Sequence, residues 1–139
     1  MDEDKIQARR REQDEEATRR RASILGLQYL DGREFEETLP LLKGVLTIEE
    51  MYKGRLVPLA FNEEDQSYRF GVTSQTSESL MKKMQSQYVE NGKRIFFFLI
   101  SGSAFRSIML RFDPPKKVIY DNIEIAKEGD SDTLAQVTQ

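Results

Sequence analysis

The chain reads as an α+β fold: a small three- to four-stranded sheet packed by helices, with a charged N-terminal helix and a flexible C-terminal tail. Three observations predict it. Ile95 to Ile100 are an unbroken apolar run of strand length. Tyr68, Phe70 and Val72 alternate with Arg69 and Gly71, the period of a half-buried strand. Leu80, Met81, Met84 and Tyr88, and later Ala104, Phe105, Ile108, Met109 and Phe112, recur at helical spacing.

In chain order, residues 1–21 are a charged, solvated segment, helical or disordered. Arg9-Arg10-Arg11 and Arg19-Arg20-Arg21 flank Asp14-Glu15-Glu16. Arg11 to Glu15 and Glu15 to Arg19 are i,i+4 pairs of opposite charge, which favour a helix. Its apolar residues are too few to form a buried face, so Met1 to Ala17 is expected to be dispensable for folding. From Ala17 onward Ala22, Ile24 and Leu25 offer a core face, and Gly26 ends the helix.

The folded domain spans residues 22–114. Tyr29 to Asp31 is a short extended piece, and Pro40 opens a short helix through Leu41, Leu42, Val45 and Leu46. Thr47-Ile48-Glu49-Glu50 has the pattern of a capping box and starts another helix, with Gly54 as its stop. Leu56 to Phe61 is a strand that Pro58 confines to a sheet edge or a strand start. Asn62 to Ser67 turns it into the Tyr68–Val72 strand. Thr76 or Ser77 caps the next helix, and Asn91-Gly92 ends it. Arg94 to Ser101 is the strongest strand, and its continuous run suggests cover on both faces. Ser101 or Ser103 caps the last helix, which Pro114-Pro115 stops. Phe97, Leu99, Met84, Ile108 and Phe112 are expected to be nearly buried. Residues 115–139 are a linker or tail, with short strand candidates at Val118–Tyr120 and Ile123–Ile125.

Composition narrows the function classes. With 139 residues, one domain is expected. Charged residues reach 32%, and their surplus lies at the two ends, so the middle keeps enough apolar residues for a core. A net charge of -3 argues against general nucleic-acid binding. There is no cysteine and no histidine, which excludes disulfides, thiolate metal sites and the commonest general base. The charged N-terminus does not read as a signal peptide, and no apolar run reaches the length of a membrane helix. A soluble intracellular domain is the simplest class.

No Gly-x-x-x-x-Gly-Lys-Ser/Thr loop is present, so no phosphate cradle of the ATPase kind is expected. Gly71, Gly92 and Gly102 stand singly and read as strand, cap and turn glycines. The acidic triplet Asp14-Glu15-Glu16 reads as plain surface on a solvated segment. The phenylalanine run reads as core. The arginine triplets read first as a salt-bridged helix surface. Their functional reading is contact with an acidic partner, an anionic lipid or a nucleotide, and the interspersed acids count against the last two.

The segment Ala22 to Pro114 resembles the N-terminal domain shared by type II secretion and type IV pilus-assembly ATPases. In that family a helix runs into a Leu-Gly-apolar-Pro-Tyr turn, and here Leu25-Gly26-Leu27-Gln28-Tyr29 has Gln28 in place of the proline. Thr47-Ile48-Glu49-Glu50-Met51 and Val57-Pro58-Leu59 fall where the family has Ile-Pro-Glu-Glu-apolar and a Pro-Leu strand. The family's Asp-Pro turn is replaced by Ser74-Gln75-Thr76-Ser77. The resemblance implies a cytoplasmic, non-catalytic adaptor or regulatory domain without cofactor. It would dock a motor to its inner-membrane platform protein and lead into downstream ATPase domains. Nucleic-acid binding and direct membrane insertion are not implied. Arg19, Arg20 and Arg21, where the charged segment meets the domain, are the candidate docking residues. Some family members instead sense cyclic di-GMP through a duplicated Arg-x-Leu-Gly-x-x-Leu-Val motif. Arg21-Ala22-Ser23-Ile24-Leu25-Gly26 only echoes it, and this sensing role is the alternative.

Overall fold

The computed structural model describes residues 2–115, so the strand candidates at Val118–Tyr120 and Ile123–Ile125 lie outside the described residues. The described chain forms helix α1 (Glu3–Leu25), strand β1 (Gln28–Tyr29), a 3-10 turn (Gly32–Glu34) and helix α2 (Ile48–Gly54). Strands β2 (Leu56–Asn62) and β3 (Ser67–Val72), helix α3 (Glu78–Glu90), strand β4 (Arg94–Leu99) and helix α4 (Gly102–Phe112) follow. The fold is a mixed α+β one.

The four strands make one sheet in the order β1-β4-β3-β2. β1, β4 and β3 are parallel, and β2 joins β3 as an antiparallel hairpin. The β3–α3–β4 crossover sets Ser67 opposite Arg94 and Val72 opposite Leu99. Pro58 lies in the edge strand β2, beside a register shift between Pro58 and Ala60. An edge position suits a residue that cannot donate to a ladder.

Side chains of adjacent strand residues point to opposite faces, so the sheet has two cores. On one face α3 and the end of α1 cover Leu56, Phe70, Val72, Ile95 and Leu99, with Met84 and Ala22 as their contacts. On the other, α4 packs Ala104, Phe105, Ile108 and Met109 against Val57, Leu59 and Ile100. Burial of each such large side chain stabilises the fold by roughly 1.5–3 kcal/mol.

The cap signals settle the helix boundaries. Thr47 and Glu50 form a reciprocal capping box at the start of α2, with bonds of 3.0 and 2.9 Å. The Ser77 hydroxyl accepts the Leu80 N–H at 3.1 Å, and the Ser101 hydroxyl accepts the Ala104 N–H at 3.0 Å. Gly26 closes α1 in the left-handed conformation, φ 73°.

Several expectations are corrected. No helix forms over Pro40–Leu46: the segment is irregular, and Gly44 turns it at φ 90°. Gly54 does not stop α2. It is the last helical residue, and Arg55 takes the left-handed position at φ 58°. Gly54 instead allows close packing: a Cβ there would fall 2.6 Å from a Leu56 methyl and 2.7 Å from a Leu80 methyl, so those side chains would have to shift. Ile24 and Leu25 are exposed, and only Ala22 of that expected face is buried. Phe97 and Phe112 are half-buried, whereas Met84, Leu99 and Ile108 are buried as expected. Phe96 is 42% exposed, so β4 is not covered throughout. The reason is that α4 leans toward β2 and the 3-10 turn.

Candidate docking surface on the first helix

The adjacent parallel strands β3 and β4 lead into α3 and α4, which pack on opposite faces of the sheet, so the chain leaves the two strands in opposite directions at their C-terminal ends. Such a divergence leaves a crevice, the usual ligand position of α/β sheets. Here α1 crosses it. Asp14, Thr18 and Arg21 line a recess of about 130 Å³ there with Ser74, Ile100 and Gly102.

One stripe of α1 faces the domain: Arg11, Asp14, Glu15, Thr18 and Ala22, spaced i, i+3, i+4, i+7 and i+11. This corrects the reading of residues 1–21 as simply solvated. Glu15 is 1% exposed. Its carboxylate accepts Arg11 Nε at 2.7 Å, the Tyr29 hydroxyl at 2.5 Å and the Ser101 hydroxyl at 2.6 Å. A buried carboxylate is tolerated only with such a set of donors.

Arg11 also forms a two-pronged pair with Glu36, at 2.6 and 3.1 Å. Asp14 accepts both the N–H and the hydroxyl of Ser103, at 3.2 and 2.5 Å. Two acidic side chains of α1 thus sit at the start of α4, where the helix dipole favours negative charge. The network shifts its members. Glu36 foremost, and then Glu15, raise the Arg11 guanidinium pKa against the opposing effect of burial. Burial, and then the bond to Glu15, push the Tyr29 phenol above its ordinary range.

The inward turn of Asp14 and Glu15 changes what α1 shows outward. Between Glu16 and Asp31 the chain carries Arg19, Arg20 and Arg21 and no carboxylate. Arg19 bonds Glu16 at 2.8 Å and lies 5.4 Å from the centre of the Tyr29 ring. Arg19 and Arg20 line an open recess of about 550 Å³ with Arg9, Arg33, Glu12 and Glu16, and Glu15 lies at its inner wall. Arg21 is not part of it and points to the crevice beside Ser74. The structure therefore brings Arg19 and Arg20 together and separates Arg21 from them.

Sequence reasoning missed Arg9 and Arg33 as neighbours of this surface, and it missed the Glu15 network. Helical spacing was the available signal, because Arg11, Asp14, Glu15, Thr18 and Ala22 share one face. A search restricted to apolar residues passes over it. Among the described residues, no group of three or more His, Cys, Asp or Glu side chains is placed to hold a metal ion. Among them also, no helix is long and apolar enough to cross a membrane. Comparison of the chain with protein-family models, curated proteins and solved structures finds no match.

Proposed function

We propose that the chain is a non-catalytic docking domain whose partner carries an acidic patch that meets Arg19 and Arg20. The carrying observation is the inward turn of Asp14 and Glu15, which leaves four arginines, Arg9, Arg19, Arg20 and Arg33, against the exposed Glu12 and Glu16 around the recess. Arginine is favoured at docking surfaces because its planar fork binds carboxylates with two bonds. In this reading the resemblance to secretion and pilus-assembly ATPases names the setting. The domain is the adaptor of such a motor, in the cytoplasm, and docks it to the inner-membrane platform protein.

The test sets the two roles of the family side by side. The full chain is offered the cytoplasmic part of a platform protein in a pull-down and cyclic di-GMP in a calorimetric titration. Platform capture that weakens with salt is expected. Micromolar dinucleotide binding lost in Arg21→Ala, with no platform capture, would replace docking by sensing.

A further inference from the structure

A groove of about 760 Å³ lies between α2 and α3. Leu56 and Met84 form its buried floor. Val45, Leu46, Leu80 and Tyr88 are half-buried and form its apolar walls. Gly54 lets the end of α2 touch Leu80, which closes the base of the groove.

The charges around it are not balanced. Glu50 lies on the rim, but its carboxylate accepts the Thr47 N–H in the capping box. Lys53 and Lys83, also on the rim, make no ion pair among the described residues. The groove thus joins an apolar floor to a rim on which two ammonium groups outnumber the one carboxylate, that of Glu50.

We infer that this groove takes an amphipathic helix of a partner protein, with aliphatic residues on the floor and carboxylates at Lys53 and Lys83. A helix fits better than an extended chain. The sheet contributes only Leu56, from the start of β2, to the lining, so an extended chain would find no ladder there, whereas a helix satisfies its own backbone. From Ser77 to Tyr88 the wall formed by α3 is about 16 Å long at 1.5 Å per residue, which matches about three turns of a bound helix. The groove shares no lining residue with the arginine recess, so this contact stands or falls separately from docking through α1.

The test uses the isotope-labelled full chain and a synthetic helical peptide of about three turns. The peptide has leucines along one stripe and glutamates beside them. A second peptide carries lysine in place of glutamate. The glutamate peptide is expected to shift the resonances of Leu80, Met84 and Tyr88, and to bind about tenfold more tightly than the lysine peptide. Lys83→Glu, on the exposed surface of α3, should remove most of that difference while leaving the thermal midpoint unchanged. Equal binding of the two peptides, or shifts confined to α1, would overturn the inference. So would Lys83-dependent shifts with anionic vesicles but none with the peptide. Nuclear Overhauser contacts from residues 116–139 to Leu80 or Met84 in the chain alone would overturn it in favour of an internal occupant.

Discussion

The Glu15 carboxylate of α1 accepts the Ser101 hydroxyl at 2.6 Å, while that same hydroxyl oxygen caps α4 by accepting the Ala104 N–H at 3.0 Å. That oxygen links α1 to the start of α4, beside the two bonds from Ser103 to Asp14. Glu15→Ala leaves Tyr29, Ser101 and Arg11 short of an acceptor and should destabilise by about 1–3 kcal/mol. Ser101→Ala removes the cap and one donor to Glu15 together, and should cost about as much. Denaturant unfolding measures both. A loss within about 0.5 kcal/mol, the usual range of surface substitutions, would contradict the network.

Removing residues 1–17 is a harsher form of the same experiment. The sequence alone points to a dispensable segment, because its apolar area is small. The structure predicts the reverse, because Arg11, Asp14 and Glu15 are lost together. The thermal midpoint should fall by several degrees, at the roughly 4–8 °C per kcal/mol typical of a small domain. An unchanged midpoint would favour the sequence-based expectation.

Tyr29 should give the domain an alkaline limb. Its phenol is raised above the ordinary 10.0 by burial and by its bond to Glu15. Above that ordinary value the unfolded chain releases a proton that the folded chain keeps. The stabilisation is therefore fully present below about pH 10 and is lost as pH rises toward the raised value. Tyr29→Phe should flatten this limb. Urea unfolding between about pH 9 and about pH 11 compares the two, and equal slopes would show that the phenol stays unperturbed.

Two phenylalanines separate core from margin. Phe70 is 0% exposed and Phe97 is half-buried. Phe70→Ala should cost about 3–5 kcal/mol, and Phe97→Ala distinctly less. Similar losses would mean that the α3 face is packed equally along both strands.

Where apolar period and capping chemistry agree, the fold was legible in the sequence. The hairpin Leu56–Val72, the capping box at Thr47 and the serine caps of α3 and α4 all follow from local rules. The Phe96–Phe98 run misled because its identity does not show which way a covering helix leans. Gly54 misled because close packing and helix termination favour the same residue. The site was legible only in part. Arg19 and Arg20 stand out as a cluster, but a buried glutamate has no mark of its own in a run of charges. Its burial depends on Tyr29 and Ser101, and Ser101 lies 86 positions away.

Docking through Arg19 and Arg20 remains the proposal on which the function rests. Its most direct measurement is the affinity of the full chain for the platform's cytoplasmic part across a salt series. Wild type is compared with Arg19→Glu/Arg20→Glu and with Arg21→Glu. Salt-sensitive binding is expected, weakened about tenfold or more by the double reversal and much less by Arg21→Glu. Binding of unchanged strength in the double reversal, with its fold intact by circular dichroism, would contradict it.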